Sequence, residues 1–113
     1  LSKLKDKIPE TKEKILNFIG TNFHNPDLNI QIVSDETGIS KDHISELIKK
    51  HADLSFRQYL NQVRLEEAKN LLRNSDLQIS EIAYQVGYNN IQHFNRVFKE
   101  YTSFSPKAFR DLK

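Results

Sequence analysis

The chain of 113 residues has no cysteine, no methionine and no tryptophan, and only three glycines and three prolines. Without cysteine there is no disulfide, no thiolate nucleophile and no cysteine-ligated zinc. No apolar run exceeds three residues, too short for a membrane span or a signal peptide, so no membrane partner is expected. The sparse glycine and proline exclude a low-complexity linker. Position 1 is Leu1 rather than methionine, so the chain is expected to be part of a longer protein. What remains is 37% hydrophobic and 28% charged residues with a net charge of +2, the composition of one small globular domain. That balance is weak for a nucleic-acid binder, so only the local distribution of charge can speak for such a role.

Apolar residues recur at helical rather than alternating spacing, which points to an all-α fold. Residues 1–8, with Leu1, Leu4 and Ile8 roughly on one side, read either as the end of an interdomain connector or as a frayed end. A first helix is expected from Pro9, well suited to a first turn, to Asn22, burying Ile15, Phe18, Ile19 and Phe23. Leu28, Ile30, Val33, Ser34 and Gly38 recur as Leu77, Ile79, Ile82, Ala83 and Gly87 at an offset of 49 residues. After the glycine the offset becomes 50, matching Ile44, Leu47, Ile48, Lys49 and Ser55 to Phe94, Val97, Phe98, Lys99 and Ser105. Each copy reads as two short amphipathic helices around a glycine turn, a helix-turn-helix. In the second, Phe94, Val97, Phe98 and Tyr101 form the inward stripe. Gly87 is expected to take a positive φ, and Asn89 with Gln92 reads as an N-cap and capping box. The expected division is a first unit over 9–54, a linker helix over 55–73 and a second unit over 74–113. The linker helix, about 27 Å long at 1.5 Å per residue, is of an order to hold two readers at major-groove spacing, about 34 Å. A short last helix follows Ser105-Pro106.

On the second helix of the second unit, taken as about 90–101, the outward face is Gln92, Asn95, Arg96 and Lys99. Amide, guanidinium and ammonium groups on one face are those that bond base edges and phosphates in a major groove. On the equivalent helix of the first unit, about 41–51, the face is Asp42, Ser45, Glu46 and Lys49. Its carboxylates repel phosphate, and either accept from cytosine N4 or are plain solvated acids. Ser40, Lys41 and Asn90, at the helix starts, complete the candidate DNA-binding set. Ile91 either touches a thymine methyl or tucks against the turn, and His43 and His93 either contact phosphate or pack at the boundary. The histidines show no metal-ligand spacing, so neither metal nor cofactor is expected. Arg64 is expected to brace the fold through a carboxylate. No nucleophile–base pair is suggested, so the chain is not expected to be an enzyme.

RLEEAKNLL (Arg64–Leu72), ISEIAYQVGY (Ile79–Tyr88), FNRVFKEY (Phe94–Tyr101) and SPKAFR (Ser105–Arg110) follow in order. In these the chain resembles the DNA-binding domain of the AraC/XylS transcription regulators over nearly its whole length. The resemblance implies seven helices, two helix-turn-helix subdomains joined by a long linker helix, and third and sixth helices in adjacent major grooves. It also implies double-stranded DNA as partner, contact with RNA polymerase, a cytoplasmic activator, and a sensing or dimerisation domain elsewhere in the protein. The family usually has glycine just after each recognition helix, where this sequence has Asp53 and Ser103. Two rivals differ in class. A DNA-repair methyl acceptor fused to such units needs a cysteine, and there is none. A helical protein-binding adaptor predicts salt-insensitive association and no binding of duplex DNA.

Overall fold

The computed structural model describes the backbone of residues 2–112 and the side chains of residues 10–112. Seven helices and no strand occur among them: α1 (Ser2–Asn22), α2 (Ile30–Thr37), α3 (Lys41–Ala52), α4 (Phe56–Asn74), α5 (Ile79–Gln85), α6 (Ile91–Thr102) and α7 (Pro106–Asp111). The first helix begins at Ser2 rather than Pro9. Pro9 therefore lies inside α1, at a position where a proline supplies no N–H to the helical ladder. The side chains of Leu1, Leu4 and Ile8 lie outside the described residues.

Two compact units emerge: α1 with Leu28–Leu60, and Phe23–Asp27 with the chain from Asn61 onward. In the first, α1 packs on α2 and α2 on α3, and Ile15, Ile19, Val33, Ile44 and Ile48 are buried. Phe18, expected inside, is half-buried. In the second, Leu65, Ala68, Leu72, Ile82, Val86, Phe94, Phe98 and Phe109 form one core. The rings of Phe94, Phe98 and Phe109 stand in succession at 5.7 and 5.4 Å between centroids, tilted and edge-on as aromatic quadrupoles prefer. Tyr101, expected on the inward stripe of α6, is 44% exposed. The helix has turned it past the edge of the core. Helix α4 belongs to both units. Phe56 and Leu60 are buried before the boundary, Leu65, Ala68 and Leu72 after it, and the apolar spacing slips a phase between Leu60 and Leu65.

Local chemistry fixes the helix ends. Asn29, Ser40, Asn90 and Ser105 each accept a bond from the backbone N–H three residues on, satisfying a donor the helix leaves orphaned. At α4 the bond is reciprocal: Ser55 Oγ accepts from Gln58 N at 3.2 Å, and Gln58 Oε1 from Ser55 N at 3.0 Å. The cap of α6 is therefore Asn90, not Asn89. Tyr88 N donates to Ala83 O and closes the preceding turn, so the extended backbone a cap requires falls one residue later, at Asn90.

Both recognition-type helices end left-handed without glycine. Asp53 has φ 58° and ψ 35°, Ser103 φ 70° and ψ 3°. Their N–H groups donate to Lys49 O and Lys99 O, each at 2.8 Å. Aspartate visits this region at modest cost, serine less readily. Ser103→Gly should therefore raise stability by about 0.5–1 kcal/mol, with Asp53→Gly gaining less. A thermal melt of both variants checks the order, and a Ser103→Gly melt at or below the parent's would remove the strain argument.

Candidate nucleic-acid interface

Helix α6 divides cleanly. Phe94, Val97 and Phe98 are buried, while Gln92, His93, Asn95, Arg96 and Lys99 are exposed. Helix α3 repeats the division, burying Ile44, Leu47 and Ile48 and exposing Lys41, Asp42, His43, Ser45, Glu46 and Lys49. The amphipathic period puts each expected quartet on one outward face of its own helix. Ser40 and Asn90 stand at the exposed helix starts with their side-chain oxygens engaged as caps. Ile91 is half-buried, between the two placements open to it.

The two faces differ in charge and in how their cations are held. On α3, Lys49 sits 3.0 Å from Asp53 and Lys50 4.0 Å from Glu46. On α6, Arg96 is held by a histidine instead: its Nη2 donates to His93 Nδ1 at 2.8 Å. A guanidinium can only donate, so His93 presents a lone pair at Nδ1. The imidazole in turn stands edge-on to Tyr88, 5.6 Å between centroids, and Tyr88 packs at 5.4 Å on Phe94. Arg96 thus projects from an exposed face but is indexed to the core through two rings.

Tyr88 leads to Arg64. The phenol donates to Asn61 Oδ1 at 2.7 Å, and burial pushes it up to about 12. The Arg64 guanidinium lies 5.5 Å from the centre of that ring. Among the described residues no carboxylate pairs with Arg64, against expectation. Its Nε donates to Phe23 O at 2.9 Å and its Nη2 to Asn25 O at 2.8 Å. The segment after α1 offers carbonyls with no helical partner, and a forked donor bonds two at once. Burial lowers the Arg64 pKa, with Tyr88 acting weakly the other way. Gly87 makes room: a Cβ there would stand 2.5 Å from Phe23 O and 2.6 Å from Arg64 Nε, at a φ of 111°. Arg110 does similar work, donating to the carbonyls of Leu72, Ser75 and Leu77, a role its place in the sequence did not disclose.

Beside the outward face of α6 an open groove of about 340 Å³ has Ile79 and Pro106 at its floor and Asn95, Arg96, Lys99 and Lys107 along it. Lys107 was not among the expected site residues. Its membership depends on α7 turning back alongside α6, which no periodicity announces. No group of acids, histidines and cysteines fit to hold a metal occurs among the described residues.

A family model for a helix-turn-helix domain matches residues 33–111. The transcriptional activator RhaS of Salmonella arizonae is 34% identical over 80 residues, 71% of this chain and 29% of that protein. Among solved structures, the C-terminal domain of the response regulator AraT from Geobacillus stearothermophilus superposes with a TM-score of 0.86 at 30% identity, covering 91% of this chain and 85% of that one. The C-terminal domain of the two-component response regulator yesN from Fusobacterium nucleatum gives 0.83 at 33% identity, covering 90% of this chain and 99% of that one. The chain spans from a quarter to about half the length of the curated relatives it matches.

Gly87→Ala introduces both a clash and a positive φ, and should cost at least about 2 kcal/mol. Gly38, with φ 75° but nothing within 4 Å of its notional Cβ, should cost less when changed to alanine. Urea unfolding of the two variants separates space from strain, and equal losses would show that Arg64 and Phe23 make way freely.

Proposed function

Because the chain belongs to the AraC/XylS family of helix-turn-helix transcription regulators, we propose that it is the sequence-reading output domain of a bacterial regulator, with α3 and α6 entering adjacent major grooves of double-stranded DNA. The observation that carries the reading is the outward face of α6, where Gln92, Asn95, Arg96 and Lys99 are exposed over a fully buried Phe94 and Phe98. In a helix-turn-helix the second helix lies in the groove and its N-terminal residues meet base edges. Arg96 is the guanine reader, bidentate to O6 and N7. Gln92 and Asn95 are suited to adenine, and Lys99 to phosphate. Ile91 contributes a thymine-methyl contact, and His93 positions Arg96. On α3, Ser45, Asp42 and Glu46 read, the acids by accepting from cytosine N4, while Ser40, Lys41, His43 and Lys49 border the phosphates.

Helix α4, 19 residues and so about 28 Å long, suits the turn-to-turn distance of a duplex. A sensing or dimerising domain elsewhere in the protein, contact with RNA polymerase, activation as the output and a cytoplasmic site of action complete the proposal. The chain's short share of its relatives supports the further domain, and the activator among them supports activation as the output.

The readers are unequal. Residues 28–51 carry Lys41, Lys49 and Lys50 against Asp35, Glu36, Asp42 and Glu46, whereas residues 76–113 carry five cations against four acids. Phosphate attraction supplies most non-specific affinity, so the second unit contributes more binding energy and the first mainly discriminates. Arg96→Ala should cost about 1–3 kcal/mol on an operator and relax selection at one base pair. Glu46→Ala should leave affinity for random duplex unchanged or raised. Titrations of both variants on operator and random duplex across a salt series test this. A greater loss on random DNA from Glu46→Ala than from Arg96→Ala would reverse the roles.

A further inference from the structure

The groove beside α6 brings together three elements of the second unit. Its floor is apolar: Ile79 opens α5 and the buried Pro106 opens α7. Along its rim stand Arg96, Lys99 and Lys107, and no carboxylate lines it. Arg96 is drawn to His93, whereas Lys99 and Lys107 enter no ion pair among the described residues. In the first unit the residue equivalent to Lys99 is Lys49, which is paired with Asp53. At the position equivalent to Asp53 stands Ser103, a neutral residue. The second unit therefore has the lysine here without the acid that pairs with it in the first.

An apolar floor edged by unpaired ammonium groups matches one repeating unit of a nucleic-acid strand, a sugar with its phosphodiester. The position matches too. When the second helix of such a pair enters the major groove, the first crosses the backbone beside it, and this groove runs from the start of α5 along α6. We infer that it seats one sugar–phosphate of the strand bordering the groove that α6 enters. The deoxyribose rests against Ile79 and Pro106, and phosphate oxygens accept from Lys99 and Lys107. The inference rests on the proposed DNA-reading function and adds a contact from α7, a helix outside the helix-turn-helix pair. The seat holds register without reading sequence, since every nucleotide offers the same sugar and phosphate.

Lys107 is the residue to change, being exposed and clear of the core. The experiment compares the parent chain, Lys107→Gln and Lys107→Arg on operator and random duplexes over a salt series, with a thermal melt of each protein. Lys107→Gln should weaken both duplexes by the same factor and lower the slope of log affinity against log salt by about one. Its melt and base preferences should match the parent's, and Lys107→Arg should retain the slope. Unchanged affinity and slope in Lys107→Gln, beside a parent that binds duplex salt-sensitively, would overturn the seat and leave the DNA-reading function standing. A loss confined to the operator would overturn it as well, because the residue would then be reading sequence. A parent that binds no duplex DNA would overturn the reading itself, and the seat with it.

Discussion

The second unit depends on a buried cation that no anion pairs among the described residues. Arg64 is 7% exposed, and an unpaired guanidinium at that depth would be heavily penalised for lost hydration. Two backbone carbonyls, Phe23 O and Asn25 O, take the place of water, and the Tyr88 ring lies against the guanidinium. The arrangement closes only because Gly87 has no side chain. From there the order of contacts runs outward: Tyr88 against Phe94 and His93, His93 to Arg96. A desolvated group in the interior thereby sets the position of the guanidinium proposed to read a base. No buried polar side-chain atom among the described residues is left without a partner, so the wedge is satisfied throughout.

The first unit solves the same problem without charge. Counting back the 49-residue offset from Arg64 arrives at Ile15, which is 1% exposed. Its turn glycine, Gly38, needs only the positive φ, because nothing crowds it. The units therefore share helices, caps and turns, and differ in what wedges them. They differ again at the outer surface, where Asp53 pairs with Lys49 and the neutral Ser103 leaves Lys99 without an ion pair among the described residues. The two units share a frame, and local differences make one reader more cationic and the other more acidic.

What could be read from residue order was whatever a single helix decides. The buried triplets of α3 and α6, the outward quartets and the positive φ of Gly87 all follow from spacing within one turn or two. The left-handed ends at Asp53 and Ser103 were visible for another reason: the family resemblance puts glycine at those two positions. Several of the readings that failed needed a second element. Arg64 finds its acceptors 39 and 41 residues away, and nothing in RLEEAKNLL marks carbonyls over carboxylates as partners. Asn89 and Asn90 are adjacent and chemically equal, so the closing of the turn by Tyr88 N decided between them. Pro9 offered a helix start that the residues before it did not need. The groove containing Lys107 requires α7 to be in position, and the outward quartets gave no sign of it.

The account turns on two readers acting at once on one duplex. Selection of bound sequences from a random duplex pool by the intact chain tests that directly. Two enriched half-sites with their centres about one helical turn, roughly 10–10.5 base pairs, apart are the predicted outcome, with the stronger enrichment under α6. Enrichment of a single short half-site, however tight, would contradict it, as would a pool that gains no sequence preference at all.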